Sequence, residues 1–312
     1  MIKMKTVRYI LVPAVAALLI SFSASAQESE ALAFGRVSHD PVSAAMGGAG
    51  VASSTNMAYA SYRNAAAVPY YERTLDVAAG YQLWQASNTN NLSLAGAWNV
   101  NDKFGLTAGF TYGMCAAYDI YDAGGTVTGT FAPSEMQANV GFGWRFMPWL
   151  SLGANVRYLS STLSEGHSYG AVSSDIFLMS RIRSLTLALG VSSLGSRVES
   201  ASGAMYSLPA SLTFGAGYLA EFAETHRVEV LLDADWYFAG ALSAAVGAEY
   251  NWNRMVSVRA GYRYGGESVI PSYASVGAGV EFIGISLDLA YLIATGDSPM
   301  KNTLTFGLGY SF

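Results

Sequence analysis

The sequence predicts an all-β fold: a transmembrane antiparallel β-barrel of about fourteen strands with an N-terminal plug segment. Three observations predict it: a membrane-like composition with no long apolar run, short segments that alternate in polarity, and connections that alternate in length. Of 312 residues, 52% are hydrophobic, 13% aromatic and only 12% charged, about half the charged share of soluble domains. After residue 26 no stretch of eighteen apolar residues occurs, so helical spans do not account for this composition. The same arithmetic removes other classes. One cysteine, Cys115, excludes a disulfide framework or a cysteine-rich metal site, and three scattered histidines leave little for zinc. A formal net charge of -5 has the wrong sign for binding nucleic acid through its phosphates. No G-x-x-x-x-G-K-[ST] loop is present. No cofactor, metal or nucleic-acid partner is expected.

Residues 1–26 read as a secretory signal. Lys3, Lys5 and Arg8 precede an apolar run from Tyr9 to Ile20, which ends in small residues and an A-x-A site at Ala26. A retained anchor is the competing reading, but a dozen apolar residues fall short of the roughly 20 that a span needs. Cleavage leaves 14 basic against 22 acidic residues and sends the chain out of the cytoplasm.

Residues 27–73 do not alternate. They are rich in Ala, Gly and Ser, with the run Met46-Gly47-Gly48-Ala49-Gly50-Val51-Ala52 and then Asn64-Ala65-Ala66. Two readings stay open: a periplasmic linker of small residues, or a plug folded into the barrel mouth. The plug is the sharper one, with Met46, Gly47, Gly48, Gly50 and Asn64 as its candidate residues.

Residues 74–312 form the expected barrel. Alternating segments begin near Thr74, Asn91, Lys103, Glu135, Trp149, Tyr169, Ser184, Leu208, Thr225, Gly240, Arg254, Ser272, Gly284 and Asn302. In the last, Phe306, Leu308, Tyr310 and Phe312 share a greasy face while Thr305, Gly307, Gly309 and Ser311 share a small polar one. This strand, ending in Phe312, is the expected signal to the barrel-assembly machinery. One set of links is tight, as at Asn101-Asp102, Met147-Pro148, Ile182-Arg183, Ala223-Glu224, Trp252-Asn253 and Ile283-Gly284. The other is mostly longer, with a tight exception at Ala239. That is the short-turn, long-loop habit of outer-membrane barrels. Closure is required because an open sheet edge has no partner in lipid.

The same parity turns Phe104, Leu106, Val140, Phe142, Trp144, Val230 and Leu232 to lipid. It turns Asp76, Arg145, Arg157, Arg227, Glu229, Asp233, Asp235, Glu249, Arg259, Arg263, Glu281 and Asp288 to the lumen. A lipid-facing Arg or Lys at mid-depth costs roughly 2–4 kcal/mol, so this sorting is what a membrane barrel demands. Trp98, Trp149, Trp236, Tyr250, Trp252 and Tyr264 near strand ends are expected as interfacial girdles. The Glu229, Asp233, Asp235 row is read as pairing with Arg227, Arg259 or Arg263 and holding the plug, in preference to an acid–base site. His39, His167 and His226 fall in the plug, an outer loop and a turn, with no reason to meet, and Cys115 in the third strand is a small packing residue.

The small-residue run, the Asn64 segment and an even-stranded barrel ending in Phe resemble the FadL superfamily of outer-membrane proteins. Within it the chain is most similar to the PorV/PorQ branch of the Bacteroidetes, through Leu208-Pro209-Ala210-Ser211-Leu212-Thr213-Phe214-Gly215, His226-Arg227-Val228 with Asp233, and Val258-Arg259-Ala260-Gly261-Tyr262-Arg263-Tyr264-Gly265. Where that family commonly has Asn-Pro-Ala, this chain has Asn64-Ala65-Ala66. The resemblance implies a plugged fourteen-strand barrel in the outer membrane, contacting its lipids and without enzymatic activity. It also implies an adaptor role in type IX secretion, with secretion proteins or exported cargo as partners. The alternative it implies is passive transport of hydrophobic small molecules, as in the FadL branch.

Overall fold

The structure, a computed structural model, describes residues 30–312 apart from 56, 201–202, 224, 266–270 and 295–297. The expected signal segment, 1–26, lies outside the described residues. Strands β1 (Leu75–Trp84), β2 (Thr89–Asn101) and β3 (Phe104–Met114) come first, followed by a hairpin of β4 (Tyr118–Tyr121) and β5 (Val127–Phe131). Next are β6 (Ser134–Met147), β7 (Leu150–Ser164), β8 (His167–Ile182) and β9 (Leu185–Gly195), then a second small pair, β10 (Val198–Glu199) and β11 (Met205–Tyr206). The chain closes with β12 (Ser211–Phe222), β13 (His226–Tyr237), β14 (Leu242–Trp252), β15 (Val256–Gly265), β16 (Tyr273–Phe282), β17 (Ile285–Ala294) and β18 (Thr303–Ser311). All but the two small pairs join, antiparallel and in chain order, into one closed barrel of fourteen strands.

The seam is β1 on β18, in unbroken register from Asp76 opposite Ser311 to Trp84 opposite Thr303. The main-chain N–H of Phe312 donates to the Leu75 carbonyl at 3.0 Å, which extends that seam by one residue. With no free edge, every barrel strand finds partners on both sides, as a bilayer requires. The outer wall is continuously apolar: Val140, Phe142, Trp144, Leu232, Val246, Leu287 and Leu308 all stand exposed on it. An apolar surface of that extent belongs in lipid rather than water.

Two of the two-residue links at the short-turn end have left-handed residues, as primed hairpin turns require. Ile283 (φ 50°) and Gly284 (φ 77°) make one, and Arg183 (φ 55°) sits in another. On the long-loop side the link at Ala239, residues 238–241, is not the sole tight one: residues 85–88 join β1 to β2 over the same length, and Glu165-Gly166 joins β7 to β8 more tightly still. A second correction concerns Cys115, which falls one residue beyond β3 rather than inside it.

Candidate functional site

Inside the barrel lies the segment that precedes β1. It begins at the long-loop end, where Ala31 N donates to the Ser207 carbonyl at 3.0 Å and Glu30 forms a parallel bridge to Ser207. Arg36 pairs with Glu30 and lies over the Tyr237 ring, 4.4 Å from its centroid. A short helix, Pro41–Ala45, follows. Its cap is Asp40, whose Oδ1 accepts from Val42 N at 2.9 Å, and its first residue is the helix-starting proline. The segment ends at the short-turn end, where the Tyr71 carbonyl accepts from Asn99 Nδ2 at 2.7 Å and Arg73 binds Glu281 and Ser311.

Small residues are needed on both sides of the contact. Gly247 and Gly261 lie against Met46, so closely that a Cβ on either would overlap its atoms. Gly143 and Gly153 take Ala65 and Ala66 in the same way. Met46 is fully buried as a result. Gly47 and Gly48 hold left-handed φ values of 70° and 81°, which a side chain would disfavour. Asn64 caps the 3-10 helix Ala65–Tyr70 by accepting from Ala66 N at 2.9 Å and also donates to the Val51 carbonyl at 3.0 Å. The Asn64 side chain thus organises the turn with Ala65 at the position that follows it.

The wall holds this segment through charged side chains aimed at its main chain. Asp233 Oδ2 accepts from Gly50 N at 2.7 Å and Val51 N at 3.0 Å. Glu229 accepts from Ser54 N and Ser54 Oγ at 2.8 Å each, and from Thr55 Oγ1 at 2.9 Å. Arg263 donates from Nε to the Gly47 carbonyl at 3.0 Å and from Nη2 to the Gly48 carbonyl at 3.3 Å, and pairs with Asp235 at 3.3 Å. Charge-assisted bonds of this kind are the stronger ones. Arg259 sits between Glu249 at 2.5 Å and Asp288 at 2.6 Å.

Each expected lumen charge has an inward position. Glu229, Asp233, Glu249, Arg157 and Arg263 are buried, while Asp76, Arg145, Asp235, Arg259, Glu281 and Asp288 are partly buried. The expected pairing of the acidic row with Arg227 is not made. Arg227 stands 3.0 Å from Glu221, because at the second position of β13 it faces the mouth while Glu229 faces the plug. Arg145 lies over the Tyr70 ring at 5.2 Å.

Parity also reaches a residue that the sequence reading missed. Asp175 on β8 is buried, binds Arg157 Nη2 at 2.6 Å, and accepts from Ser193 N at 2.7 Å. Ser193 (φ 57°) lies where the β8–β9 register shifts, so the carboxylate satisfies the N–H that the irregularity frees. The signal was the inward phase shared with Ser173, Phe177 and Met179.

The lumen is not uniformly polar. Toward the long-loop end, Tyr273, Leu292 and Met300 are buried, with Val37 and Trp84 packed against them. Val198 and Leu208 bury with Ala171, and Leu32 and Tyr169 pack against that cluster. At the other end a cavity of about 470 Å³ lies beneath the plug, lined largely by charged and polar groups. The expectation of a lumen lined by charge and glycine is therefore corrected where these apolar clusters stand, among buried polar groups such as Gln82, Asn91, Gln137 and Asn139. Alternation assigns a face to each residue but says nothing of its depth.

Nothing in the site assembles a hydrolytic centre. His39 is buried in the plug, where desolvation and then the nearby Arg157 charge hold its imidazole well below its ordinary pKa. His167 opens β8, and His226 opens β13 with its ring stacked on Phe222 and Tyr250. Among the described residues no group of three or more His, Cys, Asp or Glu is placed to hold a metal.

Solved structures provide the comparison. The toluene transporter TodX of Pseudomonas putida superposes with a TM-score of 0.63 at 13% identity, over 87% of this chain and 98% of that one. The likeness is one of fold. The toluene transporter TbuX of Ralstonia pickettii gives 0.60 at 13% identity, over 89% and 99%. No protein-family model and no curated protein matches the sequence. The closed fourteen-strand barrel expected from the FadL resemblance is the architecture found, and the two proteins compared are toluene transporters.

Proposed function

We propose that this protein sits in the outer membrane, with its short turns in the periplasm, and lets hydrophobic small molecules pass inward by diffusion. The observation that carries this reading is the pair of apolar clusters beneath the long loops. Tyr273, Leu292 and Met300 form one and Val198 with Leu208 the other, and the plug separates them from a charged mouth. An apolar compound gains by leaving water for such a surface. A ring of charge throughout would repel it. The fold shared with two toluene transporters supports the same reading. Neither comparison favours the secretion adaptor that the PorV/PorQ resemblance implies.

The test is uptake of labelled toluene by whole cells with and without the gene. Slower uptake in the deletion strain, restored by the wild-type gene and not by a Leu292→Asp variant, is the expected result. Equal uptake by both strains sinks the proposal, and stoichiometric recovery of exported proteins with the purified barrel would put the adaptor in its place.

A further inference from the structure

The cavity beneath the plug is electrostatically divided. Barrel order sets β8, β9, β12, β13 and β14 side by side, and this wall brings Arg181, Arg183, Arg227 and Arg254 to the cavity against two carboxylates, Glu221 and Glu249, the second of them committed to Arg259 on β15. The facing wall brings four carboxylates, Glu72, Asp76, Glu281 and Asp288, against two guanidinium groups, Arg73 and Arg259. Much of that second set is already neutralised, Arg259 by Glu249 and Asp288, and Arg73 by Glu281. The arginine wall is not. Among the described residues, Arg181 and Arg183 bridge to no carboxylate, and Arg181 spends one Nη1 donor on the Tyr70 carbonyl at 3.1 Å. Glu221 is shared between Arg227 at 3.0 Å and Arg254 at 4.0 Å. Arg227 Nε is buried and makes no hydrogen bond, so its pair with Glu221 is one of proximity rather than a directed bond.

Guanidinium groups present planar donor forks matched to phosphate and carboxylate oxygens. Four of them around one open-mouthed space of about 470 Å³, with Glu221 the one carboxylate of that wall not committed to Arg259, exceed what the described residues satisfy. We infer that the arginine wall is a binding site for a phosphate group, entered from the periplasmic mouth, with Arg181 and Arg227 as its inner donors and Arg183 and Arg254 at its rim. The group belongs either to a soluble phosphate or to the head of a phospholipid from the adjacent leaflet. The site does not depend on passage of hydrophobic compounds, because the plug separates it from the apolar clusters beneath the long loops.

The test uses the full barrel in uncharged detergent, titrated with inorganic phosphate by calorimetry at low salt. Saturable binding that falls by about tenfold or more in an Arg181→Gln/Arg227→Gln variant is expected, since each charge-assisted contact is worth about a factor of ten. Lys103→Gln, outside the cavity, leaves it unchanged. A heat-modifiable gel shift certifies that each variant is folded; if the double variant does not assemble, Arg183→Gln at its exposed turn carries the same test with a few-fold loss. Competition by phosphatidylglycerol nanodiscs assigns a lipid head group, and its absence assigns a soluble phosphate, either of which supports the site. No saturable binding, or equal binding by wild type and folded variants, overturns it.

Discussion

Glu229 takes hydrogen bonds from three consecutive plug residues, Ser53, Ser54 and Thr55. Directly across on β14, Glu249 is neutralised by Arg259, so the two carboxylates do not compete for one partner. Removing a charged acceptor leaves donors unsatisfied, at about 1–3 kcal/mol. Glu229→Ala is therefore expected to speed hydrogen exchange of the amides around Ser54 roughly tenfold while the strand amides keep their protection; unchanged plug exchange would show that Asp233 and Arg263 suffice. A second position stores strain. Ile283 is β-branched, exposed and left-handed, a conformation that Asn adopts at lower cost. Ile283→Asn should raise the unfolding midpoint in heat-modifiability assays, by about 0.5–1 kcal/mol of stability. The inward charges were readable because period-two parity acts on every residue alike, Asp175 included. Their partners were not, because Gly50 N, Ser54 N and the Gly47 carbonyl belong to a segment without periodicity.

Among the elements, the strands were the most legible. β18 is expected from Asn302 and begins at Thr303, and β12, expected from Leu208, begins at Ser211. Leu208 instead packs inward with Val198, which no alternation rule reveals. The plug helices are four to six residues long, too short to hold without their surroundings. Their form depends on the wall, and above all on where it lacks side chains. Gly261→Ala puts a methyl into the main chain of Met46 and Gly47, whereas Gly129→Ala, on the β4–β5 hairpin, meets nothing. The first is expected to dislodge the plug and raise ion conductance in planar bilayers, and the second to leave it at the wild-type level. Equal conductance would mean that the barrel widens to absorb a methyl.

For the molecule as a whole, closure rests on the β1–β18 seam, and Phe312 is its last main-chain rung. Phe306, Leu308 and Tyr310 stand on the lipid face of the same strand, an arrangement suited to recognition before the barrel has closed. Deleting Phe312 should lower the amount of folded barrel in the membrane severalfold, measured as the heat-modifiable fraction. Full recovery of that fraction would remove the terminal residue from the assembly signal. The path of the chain has its own consequence. Residues 30–73 enter at one rim and leave at the other, so the barrel is a ring drawn around its own leading strand. What holds the thread in place is the set of charged side chains of the wall, Glu229, Asp233 and Arg263. A single backbone cut beside Arg73 would sever the covalent link and still leave the thread bound by those contacts.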